Sequence, residues 1–592
     1  MSVESLVKEW MAIDYDAKTK EEIQSLVDAG KTAELEARLS QANRLVFGTA
    51  GLRGPLRAGY DAMNEVVVRQ AAQGLAKYIM KIDADAQKKP VIIGHDARHK
   101  SLQFAHITAA AFMKQGIPVR LFSKVVPTPF VPYMVRLENA CCGVIVTASH
   151  NPAQDNGYKV VAPNGAQIIS PMDGEIQDSI MENLAPWEGA ADYEETVKAG
   201  LKDGRINDPL QDCLDNYLRD AREKLCFNGE EFNRESGLKF VYSAMHGVGY
   251  DYINAIVPKF GFDLEKTLIP VECQVLPDPS FPTAAKPNPE RPENLKIGQQ
   301  VADEHGAKLI FANDPDADRL AVAEKTENGW KVLHGNEIGA LLAWWMFENL
   351  KDVVPREKMA MVNSTVSSKF IAGMAKKEGF QYHDVLTGFK NIGNKALALK
   401  EEGVTTIFSF EEAIGFSCYD LVFDKDGVTA LACCAELAAK LYSQGSTLTE
   451  QLDKLGETYG HYAWNNTATE LDDLSLVDKV FEHLKNGGKG IKGHGHYVAE
   501  FGSFKVADIR DQQDEGLDTR NADAKTSLPT SSVPMITYYF ENGAVLTLRP
   551  SGTEPLLKKY IDACASTKEE ANAIAKSVGD AFDEVVMSLL KA

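Results

Sequence analysis

The stretch LIFANDPDADR, residues 309–319, shows how this chain folds. Its first four residues form an apolar run, and the residues that follow begin a polar loop rich in aspartate. A short apolar run that ends at a turn signal is typical of a buried strand. The stretch therefore predicts a strand at residues 309–312 that leads into a polar loop.

Three other stretches repeat this arrangement. VIIG at 91–94, GVIV at 143–146 and TIFSF at 406–410 run into the polar loops HDAR, TASH and EEAIG. We expect a helical segment after each loop, because strands that alternate with helices are typical of an α/β fold. Ligands in such folds bind beyond the carboxyl ends of the strands, so the four loops are expected to converge on one cleft.

The last quarter of the chain has a different pattern. A helix is expected near residues 473–485, followed by strands with polar loops between them. One of these strands, VLTL at 545–548, runs into the loop RPSGTEP at 549–555. Strands and helices in separate blocks are typical of an α+β domain with one antiparallel sheet.

Length and composition predict several domains and no membrane span. The chain has 592 residues, of which 44% are apolar and 25% are charged. At about 150 residues per domain, this length predicts roughly four domains. No apolar run is long enough to cross a bilayer, and the start MSVESLVKEWM lacks the basic head and apolar core of a signal peptide. The cytoplasm is therefore the expected location.

The net charge limits the classes of partner that the chain is expected to bind, and the spacing of its cysteines predicts free thiols. The net charge of -21 argues against a nucleic-acid partner, because binding a phosphate backbone requires a positive surface. An acidic protein that binds a small anion must gather its cations locally, so basic residues inside the motifs matter most. The nine cysteines show no C-x-x-C spacing and are expected to be buried free thiols.

The aspartates of the opening stretch form a candidate metal site. Asp314, Asp316 and Asp318 alternate along the loop, so their carboxylates can face one cation, and Mg²⁺ prefers such oxygen ligands. An EF-hand also begins D-x-D-x-D, but Arg319 stands where that motif has glycine, and Lys325 where it has glutamate. A solvated acidic turn is the remaining alternative.

Ser149 is a candidate nucleophile at the end of the strand at 143–146. A serine hydrolase would favour G-x-S-x-G, whereas Thr147 and Asn151 flank this serine. His150 and Lys159 offer proton-transfer groups, and a neighbouring metal would favour a phosphorylated serine. A serine in a turn is by itself more often only a turn residue.

Further loops could bind phosphate and sugar. RPSGT at 549–553 offers a guanidinium, two hydroxyls and backbone amides freed by glycine, which together suit a phosphate. FGTAGLRG at 47–54 is similar, with Arg53 after the glycines. Glu411 could accept hydrogen bonds from sugar hydroxyls. Polar turns and exposed carboxylates at a helix start are the alternatives.

Together these motifs resemble the α-D-phosphohexomutase superfamily, in order and over nearly the whole chain. The resemblance implies four domains around one cleft: three related α/β domains with mixed sheets and a smaller α+β C-terminal domain. The implied boundaries are 1–205 for the domain with the phosphoserine, 206–326 for the domain with the metal loop, 327–458 for the domain with the sugar loop, and 459–592 for the domain with the phosphate loop.

The resemblance also implies a role for each matching residue. It makes Ser149 the phosphoserine and a metal contact, with Asp314, Asp316 and Asp318 as the ligands of one Mg²⁺ per chain. The other matching positions are catalytic residues at Arg53, His150 and Lys159, and substrate-binding residues at Arg319, Lys390, Glu411, Arg549, Ser551, Gly552 and Thr553.

The implied reaction is an intramolecular phosphoryl transfer between two positions of a sugar. Phospho-Ser149 donates to a sugar monophosphate, a sugar bisphosphate turns in the cleft, and its other phosphate returns to the serine. A bisphosphate such as glucose 1,6-bisphosphate is the implied activator. The expected partner is a phosphosugar, with no nucleic acid or membrane, and a monomer is favoured over an oligomer.

One departure concerns the sugar. Hexose-specific members commonly carry G-E-x-S, whereas residues 410–415 read FEEAIG, and Ala413 replaces the serine. The expected substrates are therefore glucose 1- and 6-phosphate, or ribose and deoxyribose 1- and 5-phosphate. Alternatives are a mainly pentose-specific mutase, a glucose 1,6-bisphosphate synthase, and a non-catalytic binding protein, with a serine hydrolase behind them.

Overall fold

The computed structural model describes residues 2–48, 51–470, 473–531, 533–550 and 556–591. The chain divides into two compact units, each described by itself. Unit 1 comprises Met1–Ala360 and Gly388–Ser446, and unit 2 comprises Met361–Thr387 and Thr447–Ala592.

The first sheet of unit 1 is mixed. Its strands are β1 (Gly51–Pro55), β2 (Val91–His95), β3 (Val119–Leu121), β4 (Cys142–Val146), β5 (Asp155–Val161) and β6 (Ile206–Asn207). The order across the sheet is β1-β5-β4-β2-β3-β6, and only β5 runs antiparallel to its neighbours. The helices of this region are α1 (Val3–Ile13), α2 (Ala17–Asp28), α3 (Thr32–Leu39), α4 (Glu65–Ile82), α5 (Ser101–Lys114), α6 (Phe130–Leu137), α7 (Met172–Glu182) and α8 (Tyr193–Asp203).

The second sheet of unit 1 is also mixed. Its strands are β7 (Phe240–Ser243), β8 (Leu268–Pro270), β9 (Leu309–Ala312), β10 (Ala321–Thr326) and β11 (Gly329–Val332). Strands β7, β8 and β9 are parallel, and β10 pairs antiparallel with both β9 and β11. The accompanying helices are α9 (Leu210–Leu225), α10 (Glu230–Glu235), α11 (Gly249–Lys259), α12 (Leu264–Thr267) and α13 (Lys296–His305).

The following region is shared between the units. Unit 1 holds α14 (Gly335–Leu350), α16 (Phe389–Glu401), β14 (Thr405–Glu411), β15 (Gly415–Cys418) and α17 (Gly427–Ser443). Strand β12 (Met359–Ser364) crosses the boundary, and α15 (Phe370–Glu378) and β13 (Gln381–Val385) belong to unit 2. The short connection between β14 and β15 forms an antiparallel hairpin.

The rest of unit 2 is a sheet covered by helices. Its helices are α18 (Leu448–Tyr459), α19 (Leu474–Asn486) and α20 (Lys568–Lys591). Its strands are β16 (His461–Trp464), β17 (Thr467–Glu470), β18 (Glu500–Phe501), β19 (Phe504–Asp511), β20 (Leu517–Asp518), β21 (Ile536–Phe540), β22 (Val545–Pro550) and β23 (Leu556–Ala565). The pairings are antiparallel, and Tyr538, Leu546 and Ile561 of the sheet share a buried core with Phe582 of α20. The predicted helix near 473–485 and the single antiparallel sheet are confirmed.

The four apolar runs are strands, as predicted, but the expectation that a helix follows each loop is wrong for three of them. Strands β4, β9 and β14 lead into the antiparallel strands β5, β10 and β15. Only β2 is followed by a helix, α5. Each of the three loops is therefore held at both ends by paired strands, which suits side chains that must keep a fixed geometry.

Two further expectations concern thiols and membranes. The nine cysteines are all free, and six are buried, but Cys273 is exposed and Cys226 and Cys564 are half-buried, so the expectation of buried thiols is wrong for these three. Among the helices in the described part of the chain, none combines the length and apolar character that a bilayer span requires.

Candidate active site

Ser149 lies in the serine loop, residues 147–155, which runs from the end of β4 to the first residue of β5. It is buried, and its φ of 52° is unusual for a residue with a side chain. Its amide donates to Thr147 Oγ1 at 2.9 Å, and its Oγ donates to Asp314 Oδ2 at 2.8 Å. The Nδ1 of His150 lies 3.3 Å from the same Oγ. The structure therefore brings the predicted serine, histidine and first aspartate together.

The three aspartates lie in the metal loop, residues 313–319, between β9 and β10. Asp314, Asp316 and Asp318 are fully buried, and each offers an oxygen within 4.8 Å of the others. Thr128, ahead of α6, fixes the middle one: its Oγ1 donates to Asp316 Oδ2 at 2.6 Å, and its amide donates to the Asp316 carbonyl at 2.9 Å. Ala317, at φ 51°, forms the turn between the second and third aspartates.

The three carboxylates of the metal loop are buried close together, and the pKa values of Asp314 and Asp316 are shifted in opposite directions. Burial and the charges of Asp316 and Asp318 raise the pKa of Asp314 well above its usual range. Burial opposes the ionisation of Asp316, but Lys159 and Thr128 outweigh it and lower the pKa of that carboxyl. Three buried carboxylates this close together repel unless positive charge lies between them.

The residues present fit a hard divalent cation. The donor set consists of carboxylate oxygens, which suit Mg²⁺. Asp316 Oδ1 and Asp318 Oδ1 are buried and have no hydrogen-bond partner among the described residues. Buried polar atoms are rarely left unpaired, so these two oxygens are available as ligands. A metal could therefore be held by this triad.

Lysines surround the triad. Lys159 of β5 donates to Asp316 Oδ2 at 2.8 Å and Asp318 Oδ2 at 3.2 Å. Lys425, just before α17, lies 3.2 Å from the same Asp318 oxygen. Burial opposes the charge of both lysines, but the aspartates outweigh it and raise the pKa of each ammonium. Both lysines therefore carry positive charge next to the aspartate triad.

In contrast to the two charged lysines, His150 is neutral. The positive charge of Arg319, together with burial and Arg53, lowers the pKa of His150 to about 2. Its imidazole is therefore neutral, and because the Ser149 hydroxyl already donates to Asp314, His150 can donate to Ser149 Oγ in the tautomer that carries a proton on Nδ1.

Arg319 and the sugar loop, residues 411–415, adjoin the metal loop. The Nε of Arg319 lies 3.8 Å from Asp314 Oδ2, and its backbone forms a bridge with Gly415. Glu411 ends β14 opposite Gly415 and is half-buried. A Cβ on Gly415 would lie 2.3 Å from Lys425 Cδ, so only glycine leaves room for that lysine.

The remaining predicted residues are less closely placed. Arg53 is exposed on β1, and its Nη1 donates to Asn151 Oδ1 of the serine loop at 3.3 Å. Lys390 is the second residue of α16 and is half-buried. No hydrogen bond or ion pair joins its ammonium to another of the described residues.

The predicted phosphate loop is only partly described. Arg549 lies on β22 in unit 2, and its Nη2 donates to Tyr560 Oη at 3.0 Å. The pairing of β22 with β23 places Lys558 opposite Arg549. Ser551, Gly552 and Thr553 lie outside the described residues.

Three residues at the site were missed from the sequence. Thr128 lies in a Pro-Thr-Pro segment and Lys425 in Asp-Lys-Asp-Gly, and both patterns read as ordinary turns. Arg98 ends the HDAR loop, where no role was assigned to it, yet it holds the serine loop through several hydrogen bonds.

Models of one family match the chain in four successive segments. The phosphoglucomutase/phosphomannomutase alpha/beta/alpha domains I, II and III match residues 44–186, 215–329 and 334–459, and the C-terminal domain matches residues 506–581. The four segments follow the order that the resemblance implies.

Similar proteins cover nearly the whole chain. A phosphopentomutase of Mus musculus is 42% identical over 94% of this chain and 89% of its own. A glucose 1,6-bisphosphate synthase of Homo sapiens is 40% identical over 97% of this chain and 92% of its own. A phosphoribomutase of Saccharomyces cerevisiae is 38% identical over 96% of this chain and 93% of its own.

Solved structures share the fold at low identity. A putative phosphomannomutase from Thermus thermophilus superposes with a TM-score of 0.64 at 20% identity, covering 93% of this chain and 99% of that one. Parafusin from Paramecium, a phosphoglucomutase in an open form, gives 0.64 at 18% identity, covering 93% and 96%. The predicted fold class, three α/β domains and an α+β domain, is confirmed. The chain belongs to the phosphoglucomutase/phosphomannomutase family of the α-D-phosphohexomutase superfamily and is an isomerase that acts by phosphoryl transfer.

Proposed function

We propose that the chain is a phosphopentomutase-type enzyme that interconverts the 1- and 5-phosphates of ribose and deoxyribose and also accepts glucose phosphates. One observation carries the catalytic part of the proposal. Ser149 Oγ lies 2.8 Å from Asp314 in a buried triad that fits a divalent cation. A serine in this position suits a phosphoryl relay better than acyl transfer, because the surrounding groups are arranged for phosphate charge.

In the proposed transfer step, Ser149 Oγ loses a phosphoryl group and gains a proton. The bond between phosphorus and Ser149 Oγ breaks, the phosphorus bonds to the free hydroxyl oxygen of the sugar monophosphate, and the proton of that hydroxyl ends on Ser149 Oγ. Neutral His150 lies beside this oxygen and can donate a hydrogen bond from Nδ1 to it as the bond to phosphorus breaks. The sugar bisphosphate then turns, and its other phosphoryl group returns to Ser149. Glucose 1,6-bisphosphate would prime the serine in the same way.

Positive charge around the serine supports the transfer. Asp314, Asp316 and Asp318, with the phosphoryl group on Ser149, would hold Mg²⁺, which when bound neutralises phosphoryl oxygens. Lys159 and Lys425 add fixed positive charge next to the same carboxylates. Arg319 extends this charge toward the sugar loop, where Glu411 can accept hydrogen bonds from the sugar. Arg53 remains a proposed catalytic residue, and Lys390 remains a proposed contact of the substrate.

The phosphate that is not reacting needs a separate grip. We propose that Arg549, Ser551, Gly552 and Thr553 hold it, and that Lys558, opposite Arg549, adds a cation. The domain boundaries at 205/206, 326/327 and 458/459 remain our proposal.

The sugar preference rests on Ala413. A serine at this position would supply a hydroxyl to a hexose, and its absence weakens hexose binding by about 1 kcal/mol. The similar proteins named phosphopentomutase and phosphoribomutase support a pentose substrate. The similar protein named glucose 1,6-bisphosphate synthase supports a second candidate, in which another phosphoryl donor charges Ser149 and the bisphosphate is the product.

The test compares kcat/KM for ribose 1-phosphate and glucose 1-phosphate, with Mg²⁺ and glucose 1,6-bisphosphate present. We expect the larger value with ribose 1-phosphate and no activity on either sugar in Ser149→Ala. A large preference for glucose would contradict the pentose proposal. Accumulation of bisphosphate from a different donor, without mutase turnover, would favour the synthase.

A further inference from the structure

Arg98 donates hydrogen bonds to the backbone of the serine loop. Its side chain is fully buried, and Nη2 donates to the carbonyls of Ser149 at 2.5 Å and Asn151 at 2.6 Å. Nη1 donates to the carbonyls of Pro152 at 2.8 Å and Asp155 at 3.1 Å. One planar guanidinium thus fixes four carbonyls of one loop, which a lysine ammonium cannot do in the same geometry.

Asp96 fixes the guanidinium in turn. Its Oδ2 lies 3.1 Å from Arg98 Nε, and its Oδ1 accepts hydrogen bonds from the Arg98 amide at 3.0 Å and from Ser101 Oγ at 2.6 Å. The charge of Arg98 is therefore balanced inside the protein, and its orientation is set from the start of α5.

A ring from the second sheet region covers the same guanidinium. Phe281 is buried, and its ring centroid lies 4.9 Å from the Arg98 guanidinium carbon. The Phe281 amide donates to the Asp278 carbonyl at 3.1 Å, and the Asp278 amide donates to the His246 carbonyl at 3.0 Å. His246 Nε2 also lies 2.7 Å from Thr283 Oγ1, so the segment with Phe281 is tied to the loop after β7.

That loop supports the metal loop. The Val248 amide donates to the Pro315 carbonyl at 2.9 Å. A Cβ on Gly247 would lie 2.3 Å from Pro315 Cα, so the two backbones are in direct contact. Pro315 separates the first two aspartates of the triad. Contacts therefore run from the serine loop through Arg98, Phe281 and His246 to the metal loop.

The backbone along this path is strained. Ser149, Met245, His246 and Phe281 have φ values between 46° and 59°, a region that residues with a side chain seldom occupy. Such strain persists only where the surroundings hold it, and it concentrates at functional sites. Two of the four residues, Ser149 and Phe281, contact Arg98 directly.

We propose that Arg98 and Phe281 form a bracket that sets the position of Ser149 relative to the metal loop, and that Arg98 is a positioning residue for phosphoryl transfer. The inference rests on the function proposed above. The bracket fixes the phosphoserine against the aspartate triad, so that the phosphoryl group meets the sugar hydroxyl rather than water. None of the hydrogen bonds that Arg98 donates to the serine loop is made to a residue proposed to bind the sugar.

The test uses the full chain labelled on Ser149 by glucose 1,6-bisphosphate that carries radioactive phosphate. The phosphoenzyme is mixed with excess sugar monophosphate, and label on sugar is separated from label released as inorganic phosphate. In Arg98→Lys we expect transfer to sugar to slow about 100-fold, because a displacement of about 1 Å can cost that much. The share lost to water should rise, while the KM for the sugar stays within about twofold, because uniform substrate binding is kept.

Phe281→Leu provides a second variant that keeps every hydrogen bond of Arg98. We expect its transfer rate to fall about 30-fold, the effect of removing a desolvated cation–π contact. The matched controls are Phe262→Leu, a phenylalanine of similar burial outside the path, and Arg120→Lys, an arginine paired with Glu138. Both controls should transfer label at the wild-type rate, even though Phe262→Leu lowers the melting temperature as much as Phe281→Leu does.

The outcomes separate this inference from the proposed function. If the wild-type chain takes no label on Ser149, the proposed function is wrong. If it takes label and transfers it, but Arg98→Lys and Phe281→Leu show wild-type partition between sugar and water, the bracket is wrong. If Arg98→Lys does not fold, the comparison of Phe281→Leu with Phe262→Leu decides the question.

Discussion

Thr128→Val tests whether the hydrogen bond from Thr128 to Asp316 strengthens the binding of a divalent cation by the metal loop. The change removes one hydroxyl and keeps the shape of the side chain. That hydroxyl donates to Asp316 Oδ2 at 2.6 Å in a fully buried environment. The Thr128 amide, which donates to the Asp316 carbonyl at 2.9 Å, is unaffected. The variant therefore removes one restraint on one ligand and leaves the loop backbone held.

The expected magnitude follows from that single hydrogen bond. A hydrogen bond to a charged group contributes about 1.5–3 kcal/mol, and about 1.4 kcal/mol corresponds to a tenfold change in affinity. Loss of a residue that orients a metal ligand typically weakens metal binding about 10- to 100-fold. Both arguments predict that Thr128→Val weakens Mg²⁺ binding about 10- to 100-fold.

Manganese serves as the probe, because free Mn²⁺ is measured directly by electron paramagnetic resonance and Mg²⁺ affinity follows by competition. The matched control is Thr108→Val, which removes an equally buried hydroxyl that donates to the Phe104 carbonyl within α5 at 2.8 Å. The control should bind Mn²⁺ like the wild type. Wild-type affinity in Thr128→Val, or an equal loss in both variants, would show that the Thr128 hydroxyl does not contribute to metal binding.

Three further predictions concern the sugar loop and unit 2. Ala413→Ser should raise kcat/KM for glucose 1-phosphate relative to ribose 1-phosphate about fivefold, by restoring one hydroxyl contact; an unchanged ratio would contradict the assignment of the sugar loop. Gly415→Ala should lower kcat about tenfold, because its methyl group displaces Lys425 and disturbs the geometry at Asp318. Gly174→Ala in α7, where a Cβ meets nothing within 4 Å, is its control, and equal rates in the two variants would contradict the role of Lys425. Burial raises the pKa of Asp562 to about 6, so the free energy of unfolding should fall by about 3 kcal/mol as the pH rises from about 3 to 7. Asp562→Asn should remove this part of the pH dependence of the melting temperature, and an unchanged profile would show that Asp562 is not its source.

The features of the site that depend on residues close together in the chain could be predicted from the sequence. The apolar runs before Ser149 and Asp314 predicted their strands, because buried strands have a strong local pattern. The alternation of the three aspartates predicted a shared set of metal ligands, because alternate residues of an extended loop face the same side. Both features depend on residues that are close in the chain.

The contacts that hold these residues could not be predicted, because they join distant segments. Thr128 meets Asp316 across 188 positions, and Arg98 meets Ser149 across 51. Neither pattern differs locally from an ordinary turn. The strands after three of the polar loops were missed because β5, β10 and β15 are defined by pairing with the preceding strand rather than by apolar character.

Ser149 is the proposed carrier of the phosphoryl group. The most direct test of this role is mass spectrometry of the intact chain and of its peptides after incubation with glucose 1,6-bisphosphate, and again after addition of a sugar monophosphate. We expect the gain of one phosphoryl group, located on Ser149, its loss to the sugar on the second addition, and neither change in Ser149→Ala. Mutase turnover in the wild type with no phosphoryl group on Ser149, or wild-type activity in Ser149→Ala, would contradict this role.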